Sequence, residues 1–342
     1  MPARLERLRE RTNGYTVTPE QYVRVAAVAL GALTLIILTG AAVRLTGSGL
    51  GCPTWPKCYG NVYPPLNTHA VIEFSNRVIT FPVSVAAGAA WVCALRRRPY
   101  RRDLVWLGAM LPLGVVGQAV LGGFTVRGAL DYGWVMGHFA LSMLILVAAV
   151  LLLWRASREP EAVAQAAAPE GEGLDRTFAR AVGALVGLAA LTIFAGTAAT
   201  AAGPHAGGSP GQKINRLDFD GRGTMDFVIH RHAEIAFIFS LVAVAVWWVG
   251  RRRGVSALVQ RPLTILCVLL ALQGIVGLDQ YETHLPAELV WVHVALACGT
   301  WLTVLWAGCA AVSLARRPVA NTAERGVETG LRGVAPVKFP GN

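Results

Sequence analysis

The stretch that decides the fold is WVMGHFALSMLILVAAVLLLW, Trp134–Trp154. It carries no Lys, Arg, Asp or Glu, and its length meets the roughly 20 apolar residues that a helix needs to cross a bilayer. Its one titratable side chain, His138, stands about one turn inside the start. An ionisable group within a span is costly and ordinarily faces the bundle interior. How many such spans there are, and what His138 faces, set the rest of the reading.

The whole chain fits this beginning. Of 342 residues 54% are hydrophobic and only 15% charged, a balance that excludes an ordinary soluble domain. Eight segments qualify as spans: Tyr22–Val43, Glu73–Leu95, Leu104–Phe124, Trp134–Trp154, Phe178–Ala201, Phe227–Trp248, Leu263–Leu278 and Leu289–Leu314. No small-residue cleavage site follows the first, so it reads as a span and not as a removable signal. The expected fold is an all-α integral membrane protein.

Charge orients it. With both termini in the cytoplasm, 23 of the 31 Lys and Arg residues fall inside, in clusters such as Arg96–Arg102 and Arg251–Arg261. Arg44, Lys57, Arg77, Arg127, Lys213, Arg216, Arg222 and Arg231 fall at the outer side. This is the positive-inside pattern. The net charge of +11 is therefore an orientation signal; nucleic acid is not expected as a partner, because the basic clusters flank spans and lack interleaved aromatics.

The spans repeat in fours. GQAVLGG in the third span answers LQGIVGL in the seventh, and WVMGHFAL in the fourth answers LVWVHVAL in the eighth. Gln118 precedes His138 by twenty residues, as Gln273 precedes His293. The first span runs into GSGLGCP and the fifth into HAGGSP. An even number of spans per half gives both halves the same orientation, hence two pseudo-symmetric four-helix bundles about an axis along the membrane normal. The expected division is a cytoplasmic tail over 1–21, bundles over 22–154 and 178–314, a linker over 155–177 and a second tail over 315–342.

His138, His230 and His293 all lie near the outer ends of even-numbered spans. Asn76 fills the related place in the second span when Asn76-Arg77 is aligned with His230-Arg231. His232, on another helix face, is the alternative if that alignment is off by two. Single histidines often serve as interhelical glue, but glue has no reason to recur at one depth. Two imidazoles on facing helices of an apolar bundle are what bis-histidine haem ligation requires, and His230 with His293 make such a pair. Arg44, Arg77, Arg127 and Arg231 are candidate partners for haem propionates, against the plainer role of snorkelling to headgroups. Glu73 shares a helix face with Asn76. It reads either as an interfacial carboxylate paired with Arg77 or as a proton-handling group beside a substrate.

Between the first two spans, GSGLGCPTWPKC holds Cys52 and Cys58 on the oxidising side, where disulfides persist. A zinc site needs four ligands, and only His69 stands near, so the pair is read as a disulfide pinning a lid. Cys93, Cys267, Cys298 and Cys309 fall within spans, as small apolar residues.

VRLTGSGLGCPTWPKC, IEFSNR, GHFAL, HR and VWVHVAL together resemble the haem A synthase family, over essentially all eight spans. The resemblance implies an enzyme that oxidises the C8 methyl of haem O to the formyl of haem A for cytochrome oxidase. It implies a haem b cofactor in the second bundle on His230 and His293, and the substrate haem in the first on His138. It also implies a required glutamate at Glu73, the first-loop cysteine pair at Cys52 and Cys58, and haem O synthase and oxidase assembly factors as partners beside the lipid bilayer. Many members read E-x-x-H-R where this chain reads Glu73-Phe-Ser-Asn76-Arg77, and an Asn carbonyl is a poor iron ligand beside imidazole. Two other classes compete. One is a di-haem cytochrome exchanging electrons with quinone, which Asn76 disfavours. The other is a haem carrier or permease, for which no paired broken helices are visible.

Overall fold

In the computed structural model, residues 15–158, 174–209, 211–219 and 223–315 are described. Arg222, most of the 155–177 linker, nearly all of the tail over 315–342 and most of that over 1–21 lie outside them. The architecture is all-helical. Helices α1 (Pro19–Leu45), α2 (Thr68–Arg96), α3 (Arg102–Arg127), α4 (Tyr132–Ala156), α5 (Arg176–Ala202), α6 (Thr224–Arg252), α7 (Ala257–Glu282) and α8 (Ala287–Ala315) correspond to the eight expected spans. All eight are long and apolar enough to cross a membrane, and each exceeds its apolar segment by a few polar residues at one or both ends. In hydrocarbon every backbone group must find its partner within the segment, so helices extend until their ends reach water or a cap. Thr18 closes a capping box with Gln21 at the start of α1, and Asn67, Asp131, Asp175 and Ser256 cap α2, α4, α5 and α7.

Packing follows the same order in both halves. The helices α1, α2, α3 and α4 close a ring in which each touches the next, and α5, α6, α7 and α8 close another. The rings meet along α4 and α8, with α1 against α8 and α4 against α5. At that seam Trp301 donates its indole N–H to the Met143 carbonyl (3.1 Å), and Trp154 meets Trp306 edge to face at 4.8 Å. Trp291 similarly reaches the Leu38 carbonyl (3.0 Å). Large apolar side chains such as Phe81, Leu113 and Ile275 cover the outer surface, as a bilayer-facing perimeter requires.

The helix lengths coincide too. The pairs α1 and α5, α2 and α6, and α3 and α7 have 27, 29 and 26 residues each. Both connections, α3 to α4 and α7 to α8, turn through two successive left-handed residues that are not glycine, Ala129-Leu130 and His284-Leu285. That conformation costs about 1–2 kcal/mol per residue for an L side chain. The loops that follow α1 and α5 meet: the Gly49 N–H donates to the Gly207 carbonyl (2.8 Å), and the Ser209 hydroxyl donates to the Gly47 carbonyl (2.9 Å).

Candidate functional site

The second ring places His232 of α6 opposite His293 of α8, with ring centroids 6.2 Å apart and planes at 76°. His230 is turned elsewhere. It is exposed, its Nδ1 lies 2.7 Å from the Asp226 carbonyl, and its ring meets Tyr281. Of the two histidines on α6 it is thus His232, the sequence's alternative, and not His230 that stands opposite His293. Successive helical residues are about 100° apart, so two residues on is nearly the opposite face, and only one of the two histidines can look into the bundle. Helix bounds give the same answer: Asn76 and His232 are each the ninth residue of a 29-residue helix.

The pair fits a haem iron. A metal–imidazole bond is about 2 Å and the ring centre lies about 1 Å behind the nitrogen, so two axial imidazoles have centroids roughly 6 Å apart. His232 donates from Nδ1 to the Thr192 carbonyl (3.1 Å), which leaves Nε2 as the electron-pair donor toward the bundle. The glycines Gly196 and Gly277 lie against the Cε1 atoms of His232 and His293, where added Cβ atoms would stand 3.0 and 3.4 Å away. Gln273 of α7 braces α8, its amide group lying 2.9 Å from His293 Nδ1 and 2.9 Å from the Ala297 nitrogen.

The first ring has the same layout with one exchange. His138, like His293, is the seventh residue of its helix, and Gly122 lies against its Cε1. Gln118 donates to the His138 carbonyl (3.0 Å) and the Ser142 hydroxyl (2.7 Å). Asn76 holds on α2 the ninth helix position that His232 holds on α6. Among the described residues, Asn76 Oδ1, Gln118 Oε1 and His138 Nδ1 of these helices are buried without a hydrogen-bond partner, which is unusual for polar atoms.

Glu73, nearly a turn before Asn76 on α2, and Arg77, directly after it, hold the loop between α1 and α2. Glu73 Oε2 accepts from the Cys52 N–H (2.7 Å), and Oε1 takes the Arg77 guanidinium. Arg77 also donates to the carbonyls of Cys52 (2.9 Å), Thr54 (3.0 Å) and Pro56 (3.2 Å). Cys52 and Cys58 form a disulfide, buried against Ala70. Two glycines make the loop possible. Gly47 has φ +64°, and a Cβ on Gly51 would stand 2.2 Å from the His69 carbonyl oxygen. Trp55, between the two cysteines, is clasped. Arg77 lies over its ring at 4.9 Å, and its edge rests on Gly123 of α3, next to the glycine that touches His138.

The outer arginines divide. Arg44 donates to the Thr200 (3.1 Å) and His205 (2.8 Å) carbonyls and so ties the two halves together. Arg77 holds the lid, and exposed Arg231 pairs with Glu234. Arg127 is exposed at the outer end of α3. Sequence reasoning missed Trp55 altogether and ranked His232 second; for His232 the signal was present, because Gly196 and Gly40 each lie 36 residues before the residues in question.

Comparison with known proteins places the chain in a family. The pattern of the family described as "Cytochrome oxidase assembly protein" (COX15-CtaA) matches residues 23–305. Among relatives, "Heme A synthase" of Lysinibacillus sphaericus (strain C3-41) is 36% identical over 135 residues, 37% of this chain and 42% of that protein. That of Bacillus licheniformis is 32% identical over 123 residues, 36% of this chain and 40% of the relative, so the chain spans about two-fifths of the length of these two. "Heme A synthase" of Shewanella oneidensis (strain MR-1) is 27% identical over 309 residues, 79% of this chain and 91% of that protein. With its eight apolar helices and its match across 23–305, the chain belongs to the cytochrome oxidase assembly protein family COX15-CtaA.

Proposed function

We propose that this protein is a haem A synthase, a membrane oxidoreductase that converts the C8 methyl of haem O to a formyl group by successive hydroxylations. The observation that carries the reading is the facing pair His232 and His293 at 6.2 Å, with a second histidine site, His138, at the same helix position in the other ring. Both bundles are read as halves of one repeat, 22–154 taking the substrate haem and 178–314 a haem b cofactor. The names of the relatives support the same activity.

In this reading His232 and His293 hold haem b, whose iron supplies one-electron chemistry when bound. Thr192 fixes the His232 tautomer, and the two glycines let each imidazole seat closely against the neighbouring helix. His138 binds the substrate haem iron from α4, with Gln118 steadying the turn that carries it. Arg127 is the propionate partner proposed for the first site, since Arg44, Arg77 and Arg231 are engaged by protein groups. The disulfide loop, latched by Glu73 and Arg77, covers the first site and keeps water from a reacting methyl group. Glu73 is placed to pass a proton between that loop and the site when the latch opens. The cationic inner clusters put both termini in the cytoplasm and the disulfide loop outside. Haem O synthase and oxidase assembly factors follow as proposed partners.

The test is conversion. Expressed beside a haem O synthase in a host lacking haem A, the protein should yield haem A in extracted haems analysed by mass spectrometry. Recovery of haem B and haem O alone from folded protein would refute the activity.

A further inference from the structure

The two rings differ at one position that matters. Where α6 presents His232, α2 presents Asn76 at the same ninth place, in the ring that carries His138 on α4. In the second ring the imidazole fills the space against Gly196, within 3.0 Å of where a Cβ would stand. In the first ring Gly40 holds the corresponding place, 36 residues before Asn76, and no neighbouring group lies within 4 Å of its Cβ position. A carboxamide is shorter than an imidazole, so Asn76 reaches less far from α2 than His232 does from α6. The position is also polar, because Asn76 Oδ1 is buried without a partner.

From this we infer that the first ring is a one-histidine site with a pocket for a small exogenous ligand of haem iron. His138 takes one axial position. The opposite position, on the side of Asn76, is not reached by a strong protein ligand and accepts a diatomic or anionic molecule that hydrogen-bonds to the Asn76 carboxamide. The second ring, closed by His232 and His293, has no such opening. The inference rests on the reading of the first ring as a haem site, and it divides the labour between the rings. One iron is coordinatively closed and suited to electron transfer, and the other is open and suited to chemistry at its own periphery.

Carbon monoxide and cyanide are the probes, used on the purified full chain loaded with haem. The expected result is two haems per chain, of which one, in the reduced protein, changes its absorption with carbon monoxide and the other does not. His138→Ala should remove the responsive haem and spare the other. Asn76→His should load normally and lose the carbon monoxide response. Should that variant fail to fold, Asn76→Ala supplies the second test: it should keep the carbon monoxide response while binding cyanide roughly fivefold more weakly in the ferric state, the loss of one hydrogen bond. Two haems that both ignore carbon monoxide would overturn the open site while leaving the first ring a haem site. One haem per chain, lost in His232→Ala and kept in His138→Ala, would overturn both. Unchanged cyanide affinity in Asn76→Ala would remove the carboxamide from the pocket.

Discussion

His232 and His293 face each other across the second ring with their centroids 6.2 Å apart, while His230, two residues before His232, turns to Tyr281. The separation is that of two axial imidazoles on one iron, and it makes the histidines of α6 distinguishable by experiment. His232→Ala should abolish the low-spin absorption of bound haem b, and His230→Ala should leave it intact. Loss of the signal in His230→Ala alone would show that the helix face has been misread.

The latch on the first loop carries a second prediction. Glu73 and Arg77 have side chains only 8% and 13% exposed, and removing one partner of a buried pair strands the other charge. Arg77→Ala should cost about 3–5 kcal/mol of loop stability, read as a lower unfolding temperature in detergent and as rapid proteolysis between Pro53 and Tyr63. Glu73→Gln should loosen the loop less, because the amide oxygen still accepts from the Cys52 N–H. If the two variants cut at the wild-type rate, the latch is not what holds the loop.

The disulfide acts on the same segment. Cys52→Ser together with Cys58→Ser releases a short loop whose closure is worth roughly 2 kcal/mol in the chain-entropy account. Haem content of the second ring should be unaffected, since that ring shares no residue with the loop. A fall in its low-spin signal would contradict this separation.

Trp55 supplies a local test. A methyl group on Gly123 would stand 2.8 Å from the Trp55 ring, so Gly123→Ala should push the indole off α3 and increase its exposure to an aqueous fluorescence quencher. The effect should be specific: Gly183→Ala, where the added methyl meets nothing within 4 Å, should leave quenching unchanged.

Much of this was legible in the sequence because membrane helices announce themselves. With no water to satisfy the backbone, the length and apolarity of Trp134–Trp154 leave few alternatives, and the recurrence of Gln118/His138 as Gln273/His293 exposes the repeat. The choice between His230 and His232 was less visible. The His-Arg dipeptide matched Asn76-Arg77 by residue type, but helix phase is set by where α6 begins, and Thr224 starts it with no side-chain cap on Gly223. The arginines were visible as charges and not as directions: Arg44 spends its donors on carbonyls more than 150 residues away. Trp55 was invisible for a similar reason, since its partner Gly123 lies two helices further on. Nor do Ala129-Leu130 and His284-Leu285 advertise left-handed turns, which glycine or asparagine would normally mark.

Conversion of a methyl on haem O to a formyl group is recorded in the extracted haem itself. Purified protein carrying haem b should be supplied with haem O under oxidising conditions, and the products separated and weighed by mass spectrometry. The account predicts haem A from the wild type, with hydroxylated haem O as its precursor, and none from His138→Ala although that variant keeps its low-spin haem b. Haem O recovered unchanged from wild-type protein with an intact haem b spectrum would contradict it.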